Sequence, residues 1–213
     1  MLKLSMKASL RKTIQTYDEI VKQYVGKTKR LEPLKELKKF KKLLPKNALV
    51  LDAGCGWGRD SKILSEKFDV IGIDLSKGLL KYAKKYAPKA RFLYGNILKI
   101  DFDNEVFDGI WSNVTLIHLE REDIIPALKE FYCVLKKGGV GYVSFKKGEG
   151  KGYKSEDMSG GNPRFYTWFN QKEIKKYLKK AGFKLIDIYT FSEKKRLGLK
   201  RNLGVINCFF KKK

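Results

Sequence analysis

A short apolar run, Ala48-Leu49-Val50-Leu51, passes directly into Asp52-Ala53-Gly54-Cys55-Gly56-Trp57-Gly58, and a helical pattern follows at 59–67. Glycine admits backbone turns closed to other residues and lets a ligand approach the main chain, so a strand that turns through glycines into a helix narrows the choice of fold sharply. The strand-and-helix rhythm then repeats. Strands are expected at Val70–Ile73, Arg91–Tyr94, Phe107–Ser112 and Val140–Phe145. Helices are expected at 77–86, opening at Ser76, and at 121–136, stopped by Gly138-Gly139. Such alternation implies a mostly parallel sheet with helices on both faces. After a helix capped by Asn170 and Glu173 and closed by Gly182, the strands Phe183–Thr190 and Gly204–Phe210 follow with no helix between them. Strands joined without a crossover helix are antiparallel neighbours, so a seven-stranded α/β sheet should end in a C-terminal antiparallel hairpin. The intervening Ser192–Asn202 reads as a basic, exposed loop.

Composition bounds the partners. A chain of 213 residues suits one domain, residues 1–213, and 43% apolar with 13% aromatic residues excludes global disorder. Three scattered cysteines and one histidine argue against a disulfide scaffold or a zinc site; no metal is expected, and a reducing, cytoplasmic setting is. No apolar run approaches the roughly 18 residues of a membrane span. The net charge is +24, but arginine, which nucleic-acid sites favour for bidentate contacts, supplies only 8 of the 47 basic residues. Lysines spread over most helices read first as a solvated surface, although a field of that sign attracts RNA and acidic proteins without specificity. Residues 1–17 hold basic residues, Ser5 and Ser9 but no acid, a composition shared with transit peptides. A basic arm running into a first helix at 12–25 is the preferred reading, with a second helix at 31–44 ended by Pro45.

The glycine loop departs from the dinucleotide fingerprint, since Arg59 stands where that pattern has its third glycine. Asp74 ends the second strand 22 residues after Asp52, where an acid can accept from both hydroxyls of a ribose. Asn96, after the third strand, offers an amide to a base. These positions fall at the carboxyl ends of neighbouring strands, the ligand-binding edge of open α/β sheets. They describe a nucleoside-containing cofactor with few phosphates.

At this point the chain resembles a known family. Val50 to Gly58 is similar to the first motif of class I S-adenosylmethionine-dependent methyltransferases, Ile71 to Ser76 to their ribose motif, and Gly95-Asn96-Ile97 to their adenine-side motif. Phe107 to Ser112 and Leu135 to Gly139 resemble the fourth motif and the helix end before strand five. Asn96 stands where that family usually has an acid. The resemblance, covering about 13–211, implies a Rossmann-like fold and S-adenosyl-L-methionine as cofactor. It implies cofactor contacts from Asp52, Gly54, Cys55, Gly56, Asp74, Leu75, Asn96, Ile97, Ser112 and Asn113, with Tyr17 and Tyr24 covering the ligand from an N-terminal helical segment, 1–45.

The acceptor side is less determined. Ser112 to Leu119 leaves strand four at the same edge and carries His118, whose intrinsic pKa suits a general base; a histidine hydrogen-bonded at a helix start is the alternative. Residues 146–168 read as a glycine-rich lid or substrate loop in which Arg164 clamps an anionic substrate and Phe165 and Trp168 stack a ring or seal the pocket. The expected activity is methyl transfer to an oxygen or nitrogen of a small molecule. The alternatives are an RNA (tRNA) methyltransferase, or a non-catalytic protein that binds the nucleoside to regulate a partner.

Overall fold

The computed structural model describes residues 6–197 and 203–213. Three helices come first: α1 (Ala8–Glu19), α2 (Val21–Thr28) and α3 (Leu34–Leu43). The alternating part runs β1 (Leu49–Ala53), α4 (Arg59–Leu64), β2 (Asp69–Asp74), α5 (Lys77–Tyr86), β3 (Arg91–Tyr94), β4 (Phe107–Ser112), α6 (Ile124–Val134) and β5 (Leu135–Lys146). Then come β6 (Lys151–Ser155), β7 (Pro163–Thr167), α7 (Gln171–Lys180), β8 (Phe183–Ser192), α8 (Glu193–Leu197) and β9 (Gly204–Lys212). Seven strands form one sheet in the order β3-β2-β1-β4-β5-β9-β8, parallel from β1 to β5 and antiparallel where β9 joins. Strand order reverses between β1 and β4, and the carboxyl ends of those strands frame a crevice there.

Successive side chains on a strand point to opposite faces, and the two cores follow that alternation. Leu51, Ile71, Ile110 and Val143 pack under α6 and α7 with Phe131, Ile174 and Leu178. Their neighbours Val50, Val70, Trp111 and Tyr142 face the other layer, against Leu37, Phe40, Leu64 and Ala83 of α3, α4 and α5.

Four expectations are corrected. The helix read at 12–25 is two helices meeting at Ile20, with φ −107° and ψ 16°. The chain bends there because Asp18 turns to α5, its Oδ1 accepting from Ser76 Oγ (2.6 Å) and Gly78 N–H (2.8 Å). Gly78 permits that approach, since a Cβ on it would lie 2.8 Å from Val21 Cγ2. The loop read at 146–168 contains a second, two-stranded antiparallel sheet, β6–β7. Its residues alternate in a way the glycines obscured. Strand five starts at Leu135, paired with Phe107, and shifts register before Val140, so the last two residues read into the preceding helix are already strand. Ser192–Asn202, read as an exposed loop, carries α8 with Glu193 buried; residues 198–202 lie outside the described residues, as do 1–5 of the basic N-terminal arm.

Candidate active site

The glycine loop after β1 is held from beneath by β2. Gly54 N–H and Cys55 N–H both donate to the Ile73 carbonyl, at 2.8 and 3.0 Å. Asp74 then joins two loops: Oδ2 accepts from Gly56 N–H (2.9 Å) and Oδ1 from Ser76 N–H (2.8 Å). Burial pushes its carboxyl above the usual range, and those two backbone hydrogen bonds oppose the shift. An ionised carboxylate has about four acceptor positions, so a ligand's hydroxyls can still be accepted.

Three glycines serve three purposes. At Gly54 (φ +78°) a Cβ would sit 2.0 Å from Thr115 Cγ2, so the missing side chain lets the segment after β4 close onto the loop. At Gly58 (φ +81°) a Cβ would lie 3.1 Å from Ala83 Cβ and Phe92 Cζ, a packing restriction. At Gly56 (φ +54°) it would meet only Leu79 Cδ1 at 3.9 Å, because that face opens on a pocket. The pocket wall continues over Leu75, Asn96 and Ile97 and is closed by Tyr17 and Tyr24, whose rings meet edge to face at 5.0 Å. An amino-acid and nucleoside ligand fits this cradle: bare backbone at Gly56, a carboxylate at Asp74, and apolar walls beyond.

Three residues expected against the cofactor stand behind the wall instead. Asp52 is 2% exposed and accepts from Ser61 Oγ at 2.5 Å; burial, then the neighbouring Asp60 charge, pushes it up to about 8. Cys55 packs into the core on the α3–α5 side, and Ser112 Oγ donates to the Ala53 carbonyl (2.9 Å), tying β4 to β1. Asn113 does line the pocket, but Asp60 and Ser144 hold both ends of its amide. Asn96, expected to present its carbonyl oxygen to a base, accepts with that oxygen from Leu98 N–H at 3.0 Å, which leaves the NH2 to donate.

His118 sits in the same wall with both ring nitrogens engaged. Nδ1 lies 2.6 Å from the Phe165 carbonyl, which can only accept, so Nδ1 carries the proton. Nε2 therefore accepts from the Tyr17 hydroxyl at 2.9 Å, and that hydroxyl accepts from Arg164 Nη1 at 2.7 Å. Burial, then the Arg164 charge, lowers the imidazole to about 3. The free base of ordinary pKa expected there is replaced by a neutral imidazole whose lone pair is covered.

On β7 only alternate residues reach the pocket. Arg164 and Tyr166 line it, whereas Phe165 points to the opposite face against Tyr153; Trp168, just past the strand, stacks on Tyr166 without lining the pocket. Phe165 and Trp168 thus lie outside the wall they were expected to form. Tyr166 was missed, and the period of two along 163–167 was the signal that would have found it. The cavity also extends beyond the glycine loop over Tyr142 and Asn207, where Phe191, Glu193 and Arg196 close it. Lys146 pairs with Glu193 there, and Arg196 holds Glu36 through two 2.7 Å bonds. None of these was read from the sequence, because each partner is over 40 residues away.

Residues 50–139 match the family model described as a methyltransferase domain. Through these residues the chain is similar to the class I S-adenosylmethionine-dependent methyltransferases. It is 40% identical over 94 residues to malonyl-[acyl-carrier protein] O-methyltransferase of Salmonella typhimurium, covering 44% of this chain and 37% of that protein. It is 30% identical over 177 residues to phosphoethanolamine N-methyltransferase 1 of Arabidopsis thaliana, covering 80% of this chain and 35% of the relative. The chain thus spans about a third of the length of these relatives. A crystal structure of an S-adenosylmethionine-dependent methyltransferase from Methanosarcina mazei superposes with a TM-score of 0.71 at 22% identity, over 81% of this chain and 95% of the other. At that identity the methyltransferase likeness is one of fold, and the seven-stranded Rossmann-like sheet is common to both. S-adenosylmethionine is the cofactor of the family, and the Gly56 and Asp74 cradle fits it.

Proposed function

We propose that this protein transfers a methyl group from S-adenosylmethionine to an oxygen or nitrogen atom of a small molecule bound in the same cavity. The carrying observation is the continuity of the cavity from the Gly56–Asp74 cradle to a second lobe over Tyr142 and Asn207. When bound, the cofactor supplies an electrophilic sulfonium methyl. The chain's contribution is alignment: Asp74 fixes the ribose, Gly56 admits the amino-acid portion, and the tyrosine cover excludes water. His118 keeps Tyr17 in place as an acceptor of its proton, which orients the phenol toward the ligand space. The names of the two relatives put the methyl on oxygen in one and on nitrogen in the other, and both chemistries need the same in-line approach.

Free thiols at Cys55, Cys133 and Cys208 suit a reducing compartment, and the cytoplasm is the location we assign. Among the described residues no helix is long and apolar enough to cross a membrane. The test has two steps. Calorimetry with S-adenosylhomocysteine should show one site; absence of binding removes the proposal. Cell extract incubated with methyl-labelled cofactor should then carry label in the small-molecule fraction. Label confined to RNA would transfer the assignment to the nucleic acid that the +24 charge attracts. Tight binding without transfer in any fraction would indicate a non-catalytic protein.

A further inference from the structure

Arg164 projects from β7 into the pocket wall and is 2% exposed. Its guanidinium presents five N–H groups in a rigid, planar fork. Nη1 donates to the Tyr17 hydroxyl at 2.7 Å and Nη2 to Glu156 Oε2 at 3.2 Å. Nε is buried with no hydrogen-bond partner among the described residues. An unpaired donor on a buried cation is one of the costlier polar arrangements, and native chains seldom leave one without an occupant in reach.

The surroundings fix the fork in place. Rings of Tyr17, Tyr24 and Tyr166 lie 5.1, 5.6 and 5.3 Å from the guanidinium carbon. Aromatic faces hold a cation without neutralising it. The Glu156 oxygen that meets Nη2 also accepts from the Tyr166 hydroxyl at 2.9 Å, so its charge is divided between two donors. A fixed cation with a spare donor, set in the wall of a ligand pocket, is built to meet an anionic oxygen.

We propose that Arg164 is the anion anchor of this pocket, its Nε–H donating to a carboxylate or phosphate oxygen carried by a bound ligand. The identity of that ligand rests on the function proposed above. The oxygen belongs either to the amino-acid carboxylate of the cofactor or to an oxyanion on the acceptor.

Two arms separate these sources. In the first, calorimetry compares S-adenosylmethionine with its decarboxylated analogue. If the cofactor carboxylate is the partner, the wild type favours the intact compound at least tenfold and Arg164→Gln abolishes the preference. In the second, the melting temperature is followed in acetate, malonate and inorganic phosphate against chloride at matched ionic strength, with and without S-adenosylhomocysteine. If the acceptor supplies the oxygen, one of these probes gives a saturable rise that Arg164→Gln loses. Anions bind elsewhere on a chain of net charge +24, so only a response that the substitution removes counts in favour. No dependence on Arg164 in either arm overturns the proposal. Should Arg164→Gln not fold, Arg164→Lys keeps the charge but not the fork. The buried Nε–H resonance of the wild type, which should shift on addition of phosphate or cofactor, reports the contact without any variant; a resonance unmoved by both counts against it. If no S-adenosyl compound binds, the proposed function fails, while the anion titration without cofactor still judges Arg164.

Discussion

Substituting Gly54 by alanine places a methyl 2.0 Å from Thr115 Cγ2 on a backbone with φ +78°. The left-handed conformation alone costs about 1–2 kcal/mol for an L side chain, and Thr115 must also move. Gly54→Ala is therefore expected to lower the melting temperature, with partial recovery in a Thr115→Gly background. Gly56→Val should lose S-adenosylhomocysteine in calorimetry and lower the melting temperature only by the strain of its left-handed backbone (φ +54°), since its side chain enters pocket space rather than packed protein. Asp74→Ala removes an acceptor common to substrate and product, so both affinities should fall together, by roughly 1.5–3 kcal/mol per bond lost to the carboxylate. Unchanged affinity for both, with the fold intact, would take Asp74 out of the site. For His118 the sign of the pH effect is fixed by its lowered pKa. The unfolded chain binds a proton below about pH 6.5 that the folded chain refuses until about 3, so folding stability declines as pH drops through that window. Urea titrations should show that decline in the wild type and a shallower one in His118→Gln. The pH–rate profile should carry no limb near the ordinary histidine value.

Among the elements, those read correctly carry their pattern locally. The Ser76 cap on α5 and the reciprocal Asn170–Glu173 cap on α7 are satisfied within a few residues of sequence, and the β1 turn is marked by its own glycines although β2 supplies its hydrogen bonds. The β6–β7 sheet was missed because glycines and polar residues at 146–163 mimic an irregular loop, and its pairing of Tyr153 with Phe165 is a tertiary fact. The break at Ile20 was equally hidden, since its cause is Asp18 docking on α5 from 58 residues away. The same limit applies to α8, whose Arg196 meets Glu36 of α3 and is joined there by the Tyr189 hydroxyl. Glu36 is fully buried and burial alone would raise its pKa, but Arg196 and Tyr189 outweigh it and hold the carboxyl low. Glu36→Gln should destabilise by about 2 kcal/mol in urea, because a charge-assisted pair becomes a single weak bond while Arg196 can turn to solvent. Hydrogen exchange at 193–197 should accelerate in that variant; unaltered exchange would show that α8 is held by other contacts.

For the molecule as a whole, the strand directions followed from chemistry visible in the sequence: alternation dictated the parallel half and the missing crossover dictated the terminal pair. What the sequence left open was the second lobe of the pocket, whose wall is assembled from the segment before α3 and from β5, β8, α8 and β9. No short motif can encode a surface contributed by residues from 31 to 207. The topology carries one further consequence, for synthesis. β9 is made after β8 yet lies between it and β5. From the time Lys146 is translated until Gly204–Lys212 emerges, β5 keeps an unpaired edge whose residues Val140, Tyr142, Val143 and Phe145 are buried in the finished fold. At about 5–20 residues per second that interval lasts several seconds, during which an open apolar edge is a template for other chains. A chain ending at residue 203 should therefore accumulate as aggregate rather than as monomer in sedimentation. A soluble, monomeric truncation would show that β8 can close the edge by itself.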